Sequence, residues 1–432
     1  MSEPPLVEVC QGDAIADTKL EEGLRTTTST SQRLTITAKQ AEGKYAGWLQ
    51  VLSSFLSMMN SLGMLNTYGV FQSYYTTTAQ LGSVSSVSWI GSVQAFLLLA
   101  VAPVCGRLCD AGYPRAVTRF GTVLIAAGLL ACSFAGRSYA AVLLLQGVVT
   151  GIGLGCLFTP AMTVLPPYFI GLRAFALGVA ATGAAVGGIV YPVMVRSTLD
   201  SYGYGWAMRA LIFAVLATQL IPCLVLQRKS SVPVRGLDAN LVELWHWKQD
   251  LLFAAYCGGI FLVFLGLYVP YFFIVSWLGD SGLDLGFESY YILSIMNAGG
   301  IPGRLIPSII ADVFRAPLLV QVLNLTIGAG MTIGWLKMRT TGPIIVYAAT
   351  YGFASGAFLS LVAACVASLT KDMRYLGARM GLTFAVSGLG NLVGNPVAGF
   401  LSASYGYEAA MVWSFVGLLV GGSTVVAVEL CR

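Results

Sequence analysis

Between Lys44 and Arg107 the chain runs for 62 residues without one Asp, Glu, Lys or Arg. A helix needs about 20 apolar residues to cross the hydrocarbon core of a bilayer, so this run holds two spans and the turn between them. Comparable uncharged runs recur at about 120–136, 138–172, 174–195, 210–227, 251–279, 316–336, 340–370, 380–407 and 409–428. One irregular stretch, "IMNAGGIPGRLIPSIIAD" at 295–312, carries Arg304 in its middle. Together the runs predict twelve membrane helices. Composition agrees, since 56% hydrophobic and 10% charged residues with a mean hydropathy of +0.77 exclude an ordinary water-soluble fold.

Residues 1–43 differ in kind. They are polar and Thr/Ser-rich ("TTTSTSQRLTIT", 26–37) and carry Glu3, Glu8, Asp13, Glu21 and Glu22. Too little apolar surface is present to offset the entropy of ordering, so a disordered tail is expected. It lacks the basic start and apolar core of a secretory signal, which leaves helix 1 to direct insertion. Threading the helices alternately from an inside N-terminus leaves only Arg137, Arg196, Arg209, Lys337 and Arg339 of the 24 Lys and Arg on the outer side. Both termini are therefore expected in the cytoplasm, with the plasma membrane as the location. The net charge of +5 is this loop bias and implies no nucleic-acid partner.

The nine cysteines are scattered, odd in number and without a metal-like spacing. Cys105 and Cys109 read as small apolar residues on one helix. The single histidine, His246, is flanked by Trp245 and Trp247 as a membrane-surface belt would be. No metal or cofactor is expected, and no obligate protein partner. An intramembrane enzyme would need a nucleophile and base or a metal set, and the residues supply neither.

The chain is internally duplicated. "SYGY" stands at 201–204 and again at 404–407, each time followed by Ala-Met, a shift of 203 residues. Asp110 ends helix 2 and Asp312 ends helix 8, a shift of 202. A looser echo sets Arg173 and Pro192 beside Arg379 and Pro396. Two six-helix halves are expected, 44–227 and 251–432, joined by a cytoplasmic loop at 228–250. An all-α protein duplicated in this way points to a secondary transporter, in which one half rocks against the other around a site near the midplane. A channel would show a filter loop or rings of like charge.

"GRLCDAGYPR" (106–115) holds Asp110 beside a Gly-containing turn with Arg107 and Arg115 close by. It resembles the loop signature of the major facilitator superfamily. The resemblance implies that the carboxylate caps a neighbouring helix and pairs with an Arg across the inner gate, with Arg107, Asp110, Arg115 and the repeated Asp312 as gating residues. "PPYFIGLRAFALGVAATGAAVGGIVYP" (166–192) resembles the helix 5 signature of the monocarboxylate porter family, matched by Tyr168, Phe169, Arg173, Ala174, Ala176, Gly178, Gly183 and Gly187. "EGKYAGWLQV" (42–51) followed by "LNTYGVFQSYY" (65–75) is similar to the helix 1 signature of fungal-type members, through Glu42, Gly43, Gly47, Trp48, Gly69, Val70 and Phe71. The resemblance covers about residues 42–430. The helix 5 glycines read as close-packing positions.

Eight residues separate Arg304 from Asp312, which buries the cation about 12 Å inside the membrane. Arg at that depth costs about 2.5–3.5 kcal/mol on insertion scales, a penalty borne where it faces a wet cavity or an anion. Its repeat mate is Ala102, so the charge breaks the symmetry and suggests a ligand role. Members of the porter family pair this Arg with an Asp one turn earlier and carry a Lys in helix 1. Here those places hold Gly300 and the neutral "MLNTYGV", which puts proton coupling in question. By family geometry the candidate substrate-binding residues are Asn66, Tyr68, Gln94, Gln146, Tyr191, Asn297, Arg304 and Asn391. The aromatic stretch "YVPYFF" (268–273) suits a partly apolar ligand. The expected function is movement of a small organic acid or partly apolar metabolite by alternating access, leaning to efflux. The alternatives are proton-coupled uptake of a simple monocarboxylate and a non-transporting sensor with a transporter fold.

Tags at the two ends of the chain test the topology. Both are expected to be protected from labelling in intact cells, and extracellular labelling of either overturns it.

Overall fold

The computed structural model describes residues 45–82, 84–135, 138–169, 171–229, 251–283, 291–335, 338 and 340–432. The expected tail and nearly all of the 228–250 loop, including His246, lie outside them. Residues 45–49 are helical, and the remaining account concerns residues 50–432, which form one compact unit.

That unit is a set of helical rods in chain order. We label them α1 (50–77), α2 (Ser86–Asp110), α3 (Pro114–Ala135), α4 (Tyr139–Thr163), α5 (Arg173–Tyr202), α6 (Tyr204–Val225), α7 (Leu251–Ser281), α8 (Tyr291–Phe314), α9 (Pro317–Trp335), α10 (Thr341–Leu369), α11 (Leu376–Tyr405) and α12 (Tyr407–Leu430). Among the described residues, ten rods are long and apolar enough to cross a membrane. The two outside that measure are α1, which is interrupted at Thr67, and α8, which carries Asn297, Arg304 and Asp312. Large apolar side chains such as Phe120, Phe213, Phe400 and Leu419 stay exposed on the outside of the bundle, where a bilayer supplies the apolar solvent. Helices suit such a solvent because each satisfies its own backbone.

Two long seams join the first six rods to the last six: α5 lies against α8, and α2 against α11. Within the last six, α8 also packs closely on α10 and α7 on α12. The repeated "SYGY" marks the joints α5–α6 and α11–α12. Its glycines, Gly203 at φ +79° and Gly406 at φ +85°, take a left-handed conformation that lets one rod end and the next begin without an intervening loop.

Three rods are irregular at mid-depth. The wide π turn at Met59–Gly63 precedes the break of α1 at Thr67, and a second π turn covers Leu143–Thr150 in α4. In α7 the helix breaks at Leu267 and Tyr268, ahead of Pro270. Pro270 has no N–H to give to the Gly266 carbonyl, and Ser414 of α12 donates to that oxygen instead, at 2.7 Å. The Tyr351 hydroxyl likewise donates to the Leu267 carbonyl at 2.7 Å. Backbone freed by the break is thus satisfied from neighbouring rods, as a membrane interior requires.

The crossing of α1 and α5 rests on a glycine pair. A Cβ on Gly63 would stand 2.6 Å from the Gly187 Cα, whereas one on Gly69 would meet nothing within 4 Å. Gly63→Ala is expected to force the rods apart at a cost of about 1–3 kcal/mol and to lower the melting temperature of the purified protein. Gly69→Ala should leave it unchanged or slightly raised, and equal behaviour of the two variants contradicts the crossing.

Candidate functional site

Two places draw the chemistry together, one at an end of the bundle and one at mid-depth. At the first, the first turns of α5 and α11 present backbone N–H groups that no intrahelical acceptor can take. Neither helix has a side-chain cap of its own, the N-cap residues being Leu172 and Tyr375. Asp312 of α8 supplies the missing acceptor to α5: Ala174 N–H donates to Oδ1 at 3.0 Å and Phe175 N–H to Oδ2 at 2.7 Å. Asp110 of α2 does the same for α11, accepting from Gly377 and Ala378, each at 2.9 Å. The two carboxylates therefore cap in trans, each reaching from one set of six rods to the other. Charge-assisted caps at a helix N-terminus also meet the positive end of the helix dipole.

Room for the second cap is made by glycine. A Cβ on Gly377 would come 2.7 Å from Asp110 Oδ1, so no larger residue fits beneath the carboxylate. Of the expected gating arginines, Arg115 turns to the end of α6, donating to the Leu226 carbonyl at 3.0 Å and to Gln227 Oε1 at 2.7 Å. Arg228 donates to the Asp110 backbone carbonyl. The cap geometry also corrects the looser repeat echo: Arg173 opens α5 as Leu376 opens α11, three residues ahead of Arg379.

At mid-depth Arg304 is 6% exposed. Its carbonyl faces α5, where Gly178 leaves space for it and for Ser308. Its guanidinium folds back along α8 to the level of Gly300, where a Cβ would collide with Nη1, and lies 3.2 Å from the Cβ position of Gly356 in α10. Gly300 and Gly356 thus form a notch that the guanidinium fills. This explains in physical terms why the place of the expected acid holds glycine: a side chain there would occupy the same volume. Tyr268 and Tyr271 of α7 are the ionisable neighbours of Arg304. Tyr271 Oη and Ser355 Oγ share a hydrogen bond of 2.9 Å, and Tyr271, Tyr351 and Tyr347 stand in a ring-to-ring series. Among the described residues Arg304 has neither an ion pair nor a hydrogen bond from its guanidinium. A buried cation without a counter-charge favours an anion brought from outside.

Asn297, seven residues before Arg304 and on the same face of α8, accepts a hydrogen bond from Asn66 Nδ2 of α1 at 3.3 Å. Gly188 of α5 lies directly beneath, its Cβ position 2.9 Å from Asn66 Nδ2 and 3.3 Å from Asn297 Cγ. Asn66, Asn297 and Arg304 are therefore brought into one region.

The other sequence candidates are described by their own contacts. Tyr68 donates to the Val87 carbonyl at 2.5 Å and pins α1 to α2. Tyr191 donates to Asn60 Oδ1, and Asn60 Nδ2 donates to Thr218 Oγ1 at 2.8 Å, a knot between α5, α1 and α6. Gln146 accepts from the Tyr75 hydroxyl at 2.5 Å, and Tyr75 bonds Tyr204 at 2.9 Å. Asn391 accepts from Asn395 one turn along α11. Gln94 is buried in α2 with its Oε1 unpartnered among the described residues. Sequence reasoning picked out the stretch that holds Tyr268 and Tyr271 without joining it to Arg304, and did not single out Ser355, the partner of Tyr271. The signal for the two tyrosines was their spacing of three in "YVPYFF" around a helix-breaking proline.

Residues 51–371 match the family model of the Major Facilitator Superfamily. The chain is 35% identical to an MFS-type transporter, dbaD, of Emericella nidulans over 88% of this chain and 85% of that protein. It is 33% identical to the fujikurins efflux protein of Gibberella fujikuroi (89% and 82%) and 30% identical to the agnestins efflux protein AgnL12 of Paecilomyces divaricatus (88% and 87%). In fold it is similar to FucP in its outward conformation, with a TM-score of 0.69 at 17% identity over 88% of this chain and 98% of that one. It is also similar to the human organic anion transporter MFSD10, with a TM-score of 0.65 at 18% identity over 88% and 98%.

Each trans cap contributes about 1–2 kcal/mol to holding its seam. Asp110→Asn and Asp312→Asn, measured as loss of unfolding free energy or melting temperature in purified protein, are each expected to destabilise by that amount. Because the caps hold different helices, the double variant should lose close to the sum. A carboxylate whose removal costs nothing is a solvated turn and no cap.

Proposed function

The chain belongs to the Major Facilitator Superfamily, and from that premise we propose that it is an alternating-access transporter that exports a partly apolar organic anion. We read it as of the monocarboxylate-porter type. It is a multi-pass membrane protein rather than an enzyme. We place it in the plasma membrane, with both termini in the cytoplasm.

The observation that carries the reading is Arg304, a buried cation beside the tyrosine wall of α7 and α10 and without a counter-charge among the described residues. In a low-dielectric site such a charge attracts an anionic group far more strongly than it would in water. The tyrosine rings supply apolar area for the rest of the ligand and hydroxyls for orientation. Efflux is supported by the relatives that are named as efflux proteins for secondary products.

The seams support alternating access. The caps at Asp110 and Asp312 form only while the bundle is closed at that end, which the lysine and arginine bias makes the cytoplasmic one. A ligand that binds one arrangement better than the other shifts the equilibrium by its differential affinity and no more. Each cap of about 1–2 kcal/mol changes the open-to-closed ratio about five- to thirtyfold. Contacts of that size hold the gate without locking it. Among the described residues every Asp and Glu lies at or near a rod end, so we assign no mid-depth carboxylate to carry a proton. That favours export of an anion over strict proton–monocarboxylate symport.

Reconstituted vesicles test the reading with a panel of aromatic and aliphatic acids and their amides. Arg304→Lys keeps the charge but loses the planar five-donor fork. It is expected to weaken apparent affinity about tenfold and to retain some transport. Arg304→Gln should abolish the preference for acids over amides. Transport of both classes by Arg304→Gln at parental rates makes the residue a packing charge.

A further inference from the structure

Asn66 is an exposed amide beside the break of α1 at Thr67. Facing lipid, such a group would be costly, and its bond to Asn297 of α8 places it instead in the cleft between α1 and α8. Its Nδ2 gives one N–H to that bond, while its Oδ1 accepts nothing among the described residues. Asn297 gives one N–H of its Nδ2 to the Leu293 carbonyl at 3.0 Å. One acceptor, Asn66 Oδ1, is therefore left open on an amide that is tied to a partner on another rod and lies over Gly188.

The acceptor and the cation stand at neighbouring levels of α8. Arg304 folds back to the level of Gly300, and Gly300 lies one turn, about 4.5 Å of rise, from Asn297 on the same helix face. Between them on that face α8 carries the glycine notch at Gly300 and the half-buried Ile301.

Resting on Arg304 as the anion site, we propose that recognition has two points, and that the ligand is an aromatic or otherwise rigid acid bearing a neutral hydrogen-bond donor about 5–10 Å, one to two helical turns, from its anion. The anion meets Arg304 and the hydroxyl or N–H donates to Asn66 Oδ1. This class is narrower than organic anions at large and excludes simple aliphatic acids that carry no donor at that separation. It also gives the ligand a mechanical role. Arg304 belongs to α8 and Asn66 to α1, so a ligand touching both ties the two sets of rods together at mid-depth, where the Asn66–Asn297 bond already joins them.

The test is equilibrium binding to the full chain in nanodiscs, with benzoate, 4-hydroxybenzoate and 4-hydroxybenzamide as probes. 4-Hydroxybenzoate carries its donor across the ring from its carboxylate and is expected to bind about three- to tenfold more tightly than benzoate, the range of one net hydrogen bond. Asn66→Ala should bring 4-hydroxybenzoate to the affinity of benzoate. Asn66→Asp, which keeps an acceptor but adds negative charge near the anion, should weaken both acids. If Asn66→Ala fails to fold, Asn66→Ser, which shortens the reach, should reduce the ratio in the same direction. Arg304→Gln should lower both acids to the level of the amide. Loss of the acids in Arg304→Gln with the 4-hydroxybenzoate preference intact in Asn66→Ala or Asn66→Ser overturns the second point alone. Acids that bind Arg304→Gln as they bind the parent overturn the anion site itself. A parent that binds neither acid overturns both.

Discussion

Two carboxylates, each capping a helix that has no cap of its own, govern this architecture. Asp312 serves α5 and Asp110 serves α11, and in both cases donor and acceptor come from opposite sets of six rods. A helix N-terminus buried without partners would leave unsatisfied N–H groups at a cost the fold could not ignore. Drawing the acceptor from across the seam makes the closed arrangement the one in which the backbone is satisfied. In the proposed transport cycle, opening exposes those amides to water, which replaces the bonds at modest net cost.

The rest of the bundle is arranged so that these seams can close. Rods that approach within the reach of a backbone carbonyl need glycine at the crossing, and the sequence puts it there: Gly178 under Arg304 and Ser308, Gly187 against Gly63, Gly377 under Asp110. Close approach also shapes the interior site. Gly300 and Gly356 open the notch into which the Arg304 guanidinium folds, and the broken α7 turns Tyr268 and Tyr271 toward it. The stability of the bundle and the placement of the one mid-depth cation among the described residues thus depend on the same residue type used in two ways.

How much of this the sequence disclosed depends on whether one residue or a pairing carried the message. Uncharged runs marked the rods, and "SYGY" marked two helix joints because a left-handed residue there must be glycine. Asp110 and Asp312 were visible as a repeat, and Arg304 as a charge where none belongs. Pairings were hidden. Tyr68, Tyr191 and Gln146 each bond a partner 19, 131 or 71 positions away, which a list of polar groups does not show. Nothing local in "GRLCDAGYPR" shows that Arg115 turns to the end of α6. The meaning of Gly300 was equally out of reach, since a missing carboxylate and a space reserved for Arg304 leave the same letter in the sequence.

The amide hydrogens of Ala174, Phe175, Gly377 and Ala378 test the central claim most directly. First-turn amides of a helix ordinarily exchange fast because they have no intrahelical acceptor. In membrane-reconstituted protein without ligand, hydrogen exchange should find all four protected. Asp312→Asn alone should speed exchange at both pairs, because the two caps open in one movement. Fast exchange of these amides in the parent, or a response to Asp312→Asn confined to Ala174 and Phe175, would contradict the account.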